Sequence, residues 1–119
     1  MAWASRADLA EAAAVVLTLE NQVGKVYDLT GDTVWTLSDL AAEVAAQSGT
    51  PLTYTDLPTE QYRQILGGAG SPEHIVELIV DADVAISQGT LDYVTGDLSA
   101  LLGRPTTPMS AGVAQALQS

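Results

Sequence analysis

Gly24-Lys25-Val26-Tyr27-Asp28-Leu29-Thr30-Gly31-Asp32, followed after three residues by Thr36-Leu37-Ser38-Asp39-Leu40-Ala41, is the stretch on which the fold turns. Val26, Tyr27 and Leu29 make a short apolar run of residues that suit a pleated surface. Glycine bounds the run on both sides, and helical patterns flank it. It therefore predicts a parallel strand of an α/β sheet, ended by Thr30-Gly31-Asp32. Thr36 stands three residues before Asp39, the spacing at which hydroxyl and carboxylate satisfy each other's free backbone N–H at a helix start. Leu37, Leu40, Ala41, Val44 and Ala45 then recur at helical spacing and predict the buried face, with Asp39, Glu43 and Gln47 outside. Ser48-Gly49 supplies the stop.

Working outward, Ser5-Arg6-Ala7-Asp8 repeats the capping pattern and opens a helix over Arg6 to Thr18. Leu9, Ala13, Val16 and Leu17 form its apolar stripe, with Asp8 and Glu11 off it. Toward the C-terminus, Leu52 to Leu57 alternates and predicts a second strand. Pro58 and Thr59 start a short helix carrying Tyr62, Ile65 and Leu66, broken by Gly67-Gly68-Ala69-Gly70. Ser71 caps a longer helix with Pro72 at its first position, Ile75, Ile79, Ala82 and Ile86 as its stripe, and Gly89 beyond its end. Asp92 to Gly96 reads as loop. Asp97 to Leu102 forms a short helix stopped by Gly103-Arg104-Pro105, and Thr107-Pro108 opens a last helix through Gln118. Two strands make a poor sheet by themselves. They call for a larger sheet or a second copy of the chain, so a homo-oligomer is expected, with the strands or the helices packed on them in the contact.

The 119 residues fit one domain, 1–119, with enough length to bury a core. Hydrophobic residues reach 47%, yet there is no Phe and aromatics total 5%, so small and branched side chains must build that core. Fifteen acidic residues face four basic ones, a formal net charge of −11. Such a field repels phosphate, and Arg6, Lys25, Arg63 and Arg104 are scattered, which argues against nucleic acid and anionic membrane surfaces as partners. Cysteine is absent, which removes disulfides, thiolate nucleophiles and Cys-based metal sites. Neither a spanning apolar window nor a secretory signal pattern is present, so a cytoplasmic location is expected.

A dinucleotide site needs a Gly-rich turn between strand and helix, where backbone N–H groups meet a pyrophosphate. The one Gly cluster, Gly67 to Gly70, follows a helix and reads as a helix stop. A Tyr activated by a Lys four residues on is also missing: Tyr27, Tyr54, Tyr62 and Tyr93 are followed at that spacing by Gly31, Pro58, Leu66 and Asp97. His74, the only histidine, lies in a helix's first turn and reads as a surface or pocket-wall residue. Glu73, Glu77 and Asp81 read as a solvated face before a cation site. Trp3, Trp35, Tyr54 and Tyr62, scarce large side chains, read as packing residues first and ligand contacts second. Asp28 and Thr30-Gly31 occupy the strand end where open α/β sheets bind ligands.

These residues carry a resemblance. Ala4-Ser5-Arg6-Ala7-Asp8-Leu9-Ala10, Val26 to Gly31, Leu37 to Ala41 and the closing Leu102-Gly103-Arg104-Pro105-Thr106-Thr107-Pro108 resemble, in order and spacing, the C-terminal third of NmrA-like atypical short-chain dehydrogenases. Among these the chain looks most like the bacterial NAD(P)H:quinone oxidoreductases, over nearly all its 119 residues. The resemblance implies an α/β fold: the helix-rich C-terminal part of a Rossmann-like NmrA-type fold, with about two short strands and five to six helices. In that family an N-terminal Rossmann portion binds NAD(P)H, and the C-terminal portion adds late strands and helices over the substrate cleft. This sequence holds only the latter, which reads as an excised piece or a truncated gene. The expectation is a substrate-side fragment of an NAD(P)H-dependent quinone oxidoreductase, inactive alone. The alternative is a non-catalytic NmrA-like interaction or regulatory module acting through self-association or partner binding. By resemblance the substrate-side candidates are Ala4, Ser5 and Arg6, and the Gly70-Ser71-Pro72 turn. No catalytic, cofactor-binding or metal residue is assigned. NAD(P)H belongs to the complete family enzyme and no cofactor to this chain alone; a quinone and a missing Rossmann portion are the implied partners.

Overall fold

In the computed structural model, which describes residues 1–118, the chain folds into six helices. They are α1 (Arg6–Thr18), α2 (Leu37–Ser48), α3 (Thr59–Gly68), α4 (Glu73–Ser87), α5 (Asp97–Leu102) and α6 (Met109–Gln118). Each answers to a helix read from the sequence. The Thr36–Asp39 capping box forms in full: the Thr36 hydroxyl accepts from Asp39 N at 3.0 Å, and Asp39 Oδ2 accepts from Thr36 N at 2.9 Å. Gly49 and Gly103 close α2 and α5 in the left-handed conformation that glycine adopts at least cost.

Neither expected strand forms; among the described residues there is none. In the run at Val26 to Leu29 no ladder forms; the backbone of Asp28 is met by side chains at the start of α5 and just before it. Asp28 N donates to Asp97 Oδ2 at 3.1 Å, the Thr95 hydroxyl donates to Asp28 O, and Thr95 N donates to Thr30 Oγ1 at 3.1 Å. Val26 is 86% exposed. For residues 52–57 the reason is simpler: no neighbouring segment offers its backbone, and the stretch lies extended and largely exposed. The two short strands of that expectation are thus corrected to connectors without a ladder, while its helix-rich part, five to six helices, agrees with the six observed.

The nearest thing to a sheet involves the chain's first residues. Met1 and Trp35 exchange backbone hydrogen bonds at 2.7 and 2.8 Å. Gly31 N donates to Ala2 O at 3.2 Å, and Ala2 N donates to Leu91 O at 2.8 Å. The thread from Met1 to Trp3 is therefore gripped by two loops. Glycine is required at 31 because a Cβ there would stand 1.9 Å from Trp3 O. Trp3 then lays its ring on α6, where a Cβ on Gly112 would come within 2.5 Å of it.

Packing is pairwise: α1 with α5, α3 with α4, α2 with α6. The buried apolar residues divide the same way, Ala12 and Leu98 in the first pair, Val76 and Val80 in the second, Met109 and Val113 in the third. Three sequence readings are corrected here. On α1, Asp8 and Ala12 are buried while Ala13 is exposed and Leu17 is 87% exposed; the helix turns to bring the Asp8 carboxylate inward. On α4 the inward line is Val76–Val80, with Ile75, Ile79 and Ile86 flanking it half-buried and Ala82 outside. Ser71 caps nothing: Pro72 occupies the cap position with no side-chain bond, and its carbonyl accepts from Ile75 N and Val76 N at 3.0 Å.

The ionic tie that fixes α1 is the deepest polar contact in the chain. Asp8 is 1% exposed and accepts from Arg104 Nη2 at 2.9 Å, Thr107 N at 2.6 Å and the Thr107 hydroxyl at 2.9 Å. A second clasp joins Asp32 and Thr106, each backbone N–H donating to the other's side chain, at 3.0 and 2.8 Å.

Candidate functional site

One cleft lies where the start of α2, the segment before α3, and the facing sides of α3 and α4 meet. Its volume is about 530 Å³, within the range of sites that enclose small organic ligands. Trp35 and Leu37 line it from the α2 side, Tyr54 and Leu57 from the segment before α3, Tyr62 from α3, and Val80, Val84 and Ile86 from α4. The capping box orients the first of these by fixing the entry into α2. Trp35 is further held through its backbone exchange with Met1. On the opposite side, Arg63 clamps α3 to α4: its Nε donates to Glu77 Oε1 at 2.7 Å while Nη1 pairs with Glu60.

Ionisable groups in this cleft are almost all acidic. Asp56, Asp83 and Asp92 line it, and no Lys, Arg or His does. The Met1 ammonium pairs with Asp92. The neighbouring Asp83 carboxylate and burial together push the Tyr62 phenol above its ordinary value. At neutral pH the phenol therefore stays protonated, the opposite of the activated tyrosine that a neighbouring lysine would create. The cleft offers flat aromatic faces, apolar walls and carboxylates, which is binding chemistry.

A second cleft of about 330 Å³ lies between Trp3, Asp32, Trp35 and the Pro105–Pro108 segment. Most of its polar side chains are already engaged, Asp32 with Thr106 and Thr107 with Asp8. It is a packing seam.

The six sequence-derived candidates lie elsewhere. Ala4, Ser5 and Arg6 sit at the start of α1, where the Ser5 hydroxyl accepts from Asp8 N at 3.1 Å. Gly70, Ser71 and Pro72 form the turn from α3 to α4, Gly70 with φ +92° and Ser71 N donating to Leu66 O at 3.3 Å. Neither triplet lines either cleft. The aromatic trio Trp35, Tyr54 and Tyr62, read from the sequence as packing residues first and ligand contacts second, lines the first cleft instead of those six. Its sequence signal is three scarce large side chains beside a helix start and a helix-opening proline.

Gly67 and Gly68 belong to the last turn of α3, so this glycine run ends a helix instead of opening one. It does not fit a dinucleotide pyrophosphate, which needs N–H groups aimed from a helix start. His74 lies exposed in the first turn of α4, and Glu77 of the acidic ladder is taken up by Arg63. Among the described residues no group of three or more His, Asp or Glu could hold a metal, and no helix is long and apolar enough to cross a membrane.

Comparison with known proteins gives these features a family setting. The chain is homologous to quinone oxidoreductase 2 of Escherichia coli (strain K12), 42% identical over 113 residues, which are 95% of this chain and 40% of that protein. The structure of the NADPH-dependent E. coli quinone oxidoreductase complexed with NADPH superposes with a TM-score of 0.91 at 40% identity, covering 98% of this chain and 41% of the other. Triphenylmethane reductase from Citrobacter sp. gives a TM-score of 0.87 at 34% identity, over 98% of this chain and 40% of its own. The chain thus spans about two fifths of the length of the reductases it matches. No family model matches it.

Proposed function

We propose that this chain forms the substrate side of an NAD(P)H-dependent quinone oxidoreductase and is inactive by itself. The observation that carries the reading is the aromatic and aliphatic cleft at Trp35, Tyr54, Tyr62 and Val80, in a chain homologous to a quinone oxidoreductase over 95% of its length. A flat acceptor stacks between such walls, and tight packing excludes water from the face it presents. The Gly67–Gly70 run ends a helix and does not suit a pyrophosphate, so on this reading the hydride donor is held by other residues of the complete enzyme. In the complete enzyme the cofactor carries the redox chemistry, and the contribution of this chain is to bind and orient the acceptor.

The test is a titration of the chain with NADPH, followed by nicotinamide fluorescence, beside an assay of menadione reduction with and without a separately supplied nucleotide-binding portion. Activity that appears only with that portion is the expected result. Tight NADPH binding or turnover by the chain alone refutes it.

A second reading is a non-catalytic interaction module. Residues 52–57 favour it, an extended segment with an unpaired backbone, Leu52 49% exposed and Tyr54 41% exposed. Such a segment is a template for strand addition by another chain. Sedimentation across a concentration series tests its self-associating form: association lost on Leu52→Pro supports strand addition at this segment, and a monomer throughout removes self-association and restricts the module to binding another partner.

A further inference from the structure

We infer that the α3–α4 hairpin is a hinged lid, which swings as one body to open and close the first cleft. The motion belongs to the chain itself and is independent of which acceptor the cleft takes. α3 and α4 pack on each other, and among the described residues no other helix packs on either. Their pairing is complete in itself: Val76 and Val80 of α4 are buried, and Arg63 binds Glu60 on α3 and Glu77 on α4. Among the described residues, every hydrogen bond and ion pair made by residues 51–87 ends within 51–90. The hairpin is thus joined to the rest of the chain through its entering and leaving connectors.

Both connectors have the means to bend. The entering one leaves α2 through Gly49, at φ +71° with open space around it. Beyond it, among the described residues, 51–57 make no backbone–backbone hydrogen bond. The leaving connector passes Gly89, at φ +85°, and is tied to another segment only past it, where Ala2 N donates to Leu91 O at 2.8 Å. Hinges are a few residues of this kind at element ends, which absorb the change in φ and ψ while the bodies on either side stay rigid. The cleft lies across this hinge line. Tyr62, Val80 and Val84 ride on the hairpin, whereas Trp35 and Leu37 belong to the entry into α2 that the Thr36–Asp39 capping box holds. A swing therefore sets the gap between the two walls: the open state admits a ligand, and the closed state shields it from water.

The chain has no cysteine, so cysteine pairs introduced into the full 119-residue protein carry spin labels without background. Ala42→Cys with Ala82→Cys spans the cleft. Gln64→Cys with Ala82→Cys lies within the hairpin, and Ala42→Cys with Gln115→Cys lies within the α2–α6 pair. Each of these positions is exposed and none lines a cleft. Double electron–electron resonance should give a spanning distance distribution about twofold wider than either internal one. Ala46→Cys with Gln64→Cys is a second spanning pair, measured in place of the first if that variant loses its helical circular dichroism. A spanning distribution as narrow as the internal ones overturns the lid and makes the hairpin a fixed wall. Equal broadening of the pair inside the hairpin overturns it too, because the hairpin would then loosen instead of swinging.

Discussion

Replacing Asp8 by alanine tests whether the buried clasp, more than the apolar stripe, fixes α1. The carboxylate accepts three hydrogen bonds, from Arg104 Nη2, Thr107 N and the Thr107 hydroxyl. Its loss strands the Thr107 N–H, which alone costs about 1–3 kcal/mol, and removes a buried ionic partner, a change that costs about 3–5 kcal/mol where both charges are enclosed. Arg104 is 42% exposed and keeps Glu11 at 2.6 Å, so solvent absorbs part of its loss. We therefore expect about 3 kcal/mol, or roughly 12 °C in Tm for a chain of this size. Urea unfolding followed by far-UV circular dichroism measures it, with Glu11→Ala as the control at under about 0.5 kcal/mol. The pH dependence follows from the titration. Burial pulls the Asp8 carboxyl up, but the hydrogen bonds from Arg104 and Thr107 and the Arg104 charge together outweigh it and hold the group below its usual range. A depressed folded value means the stabilisation is complete above the unfolded value of about 3.9 and is lost as pH falls through the folded one. The gap between wild type and Asp8→Asn should thus be flat from neutrality to about pH 5 and close under stronger acid. An Asp8→Ala variant no less stable than Glu11→Ala would refute the reasoning.

Two further substitutions test local geometry. Gly31→Ala drives a Cβ to within 1.9 Å of Trp3 O and should cost about 2 kcal/mol or more by displacing the N-terminal thread, with a shift in tryptophan emission. Gly24→Ala, at φ +81° with open space around it, should cost only the left-handed strain of about 1 kcal/mol and leave the emission alone. Thr36→Ala removes one half of the α2 capping box and should lower stability by about 1 kcal/mol in thermal melts, with Thr36→Ser restoring it.

All six helices were legible in the sequence because their start and stop signals are local. A capping pair such as Thr36 and Asp39 and a stop such as Gly103 act within one turn, and no distant residue is needed to read them. Faces were harder. Asp8 looks like a solvent residue by spacing, and only Arg104 and Thr107, nearly a hundred positions away, make it an inward one. The two strands failed for a related reason. Residues such as Val26, Tyr27 and Tyr54 fit a pleated surface, yet a strand exists only against another backbone, and here the contacts of Asp28 run to the side chains of Thr95 and Asp97. The cleft was the least legible feature. Trp35, Tyr54, Tyr62 and Val80 come from four separate segments, and nothing in their spacing announces that α2 will face the α3–α4 pair.

That arrangement bears on how the cleft works. A chain of this length packed around one core has a radius of gyration of about 13 to 14 Å, and this one has 17.0 Å. The excess reflects three helix pairs, each with its own small buried set, joined by connectors in place of a shared interior. The cleft lies between two of those pairs: Trp35, Thr36 and Leu37 lead into the α2–α6 unit, and Tyr62, Val80 and Val84 belong to the α3–α4 unit. Few direct ties cross this seam, chiefly the bonds of Met1 to Trp35 and Asp92. A ligand lodged there touches both units at once and acts as a cross-brace. By mass action it stabilises the assembled arrangement by about 2.7 kcal/mol at a hundredfold excess over its Kd, comparable to the expected contribution of the Asp8 clasp. Under the proposed acceptor-site reading, binding and packing would be the same event at this seam, because the surfaces that would grip an aromatic ring are those that the helix pairs leave uncovered.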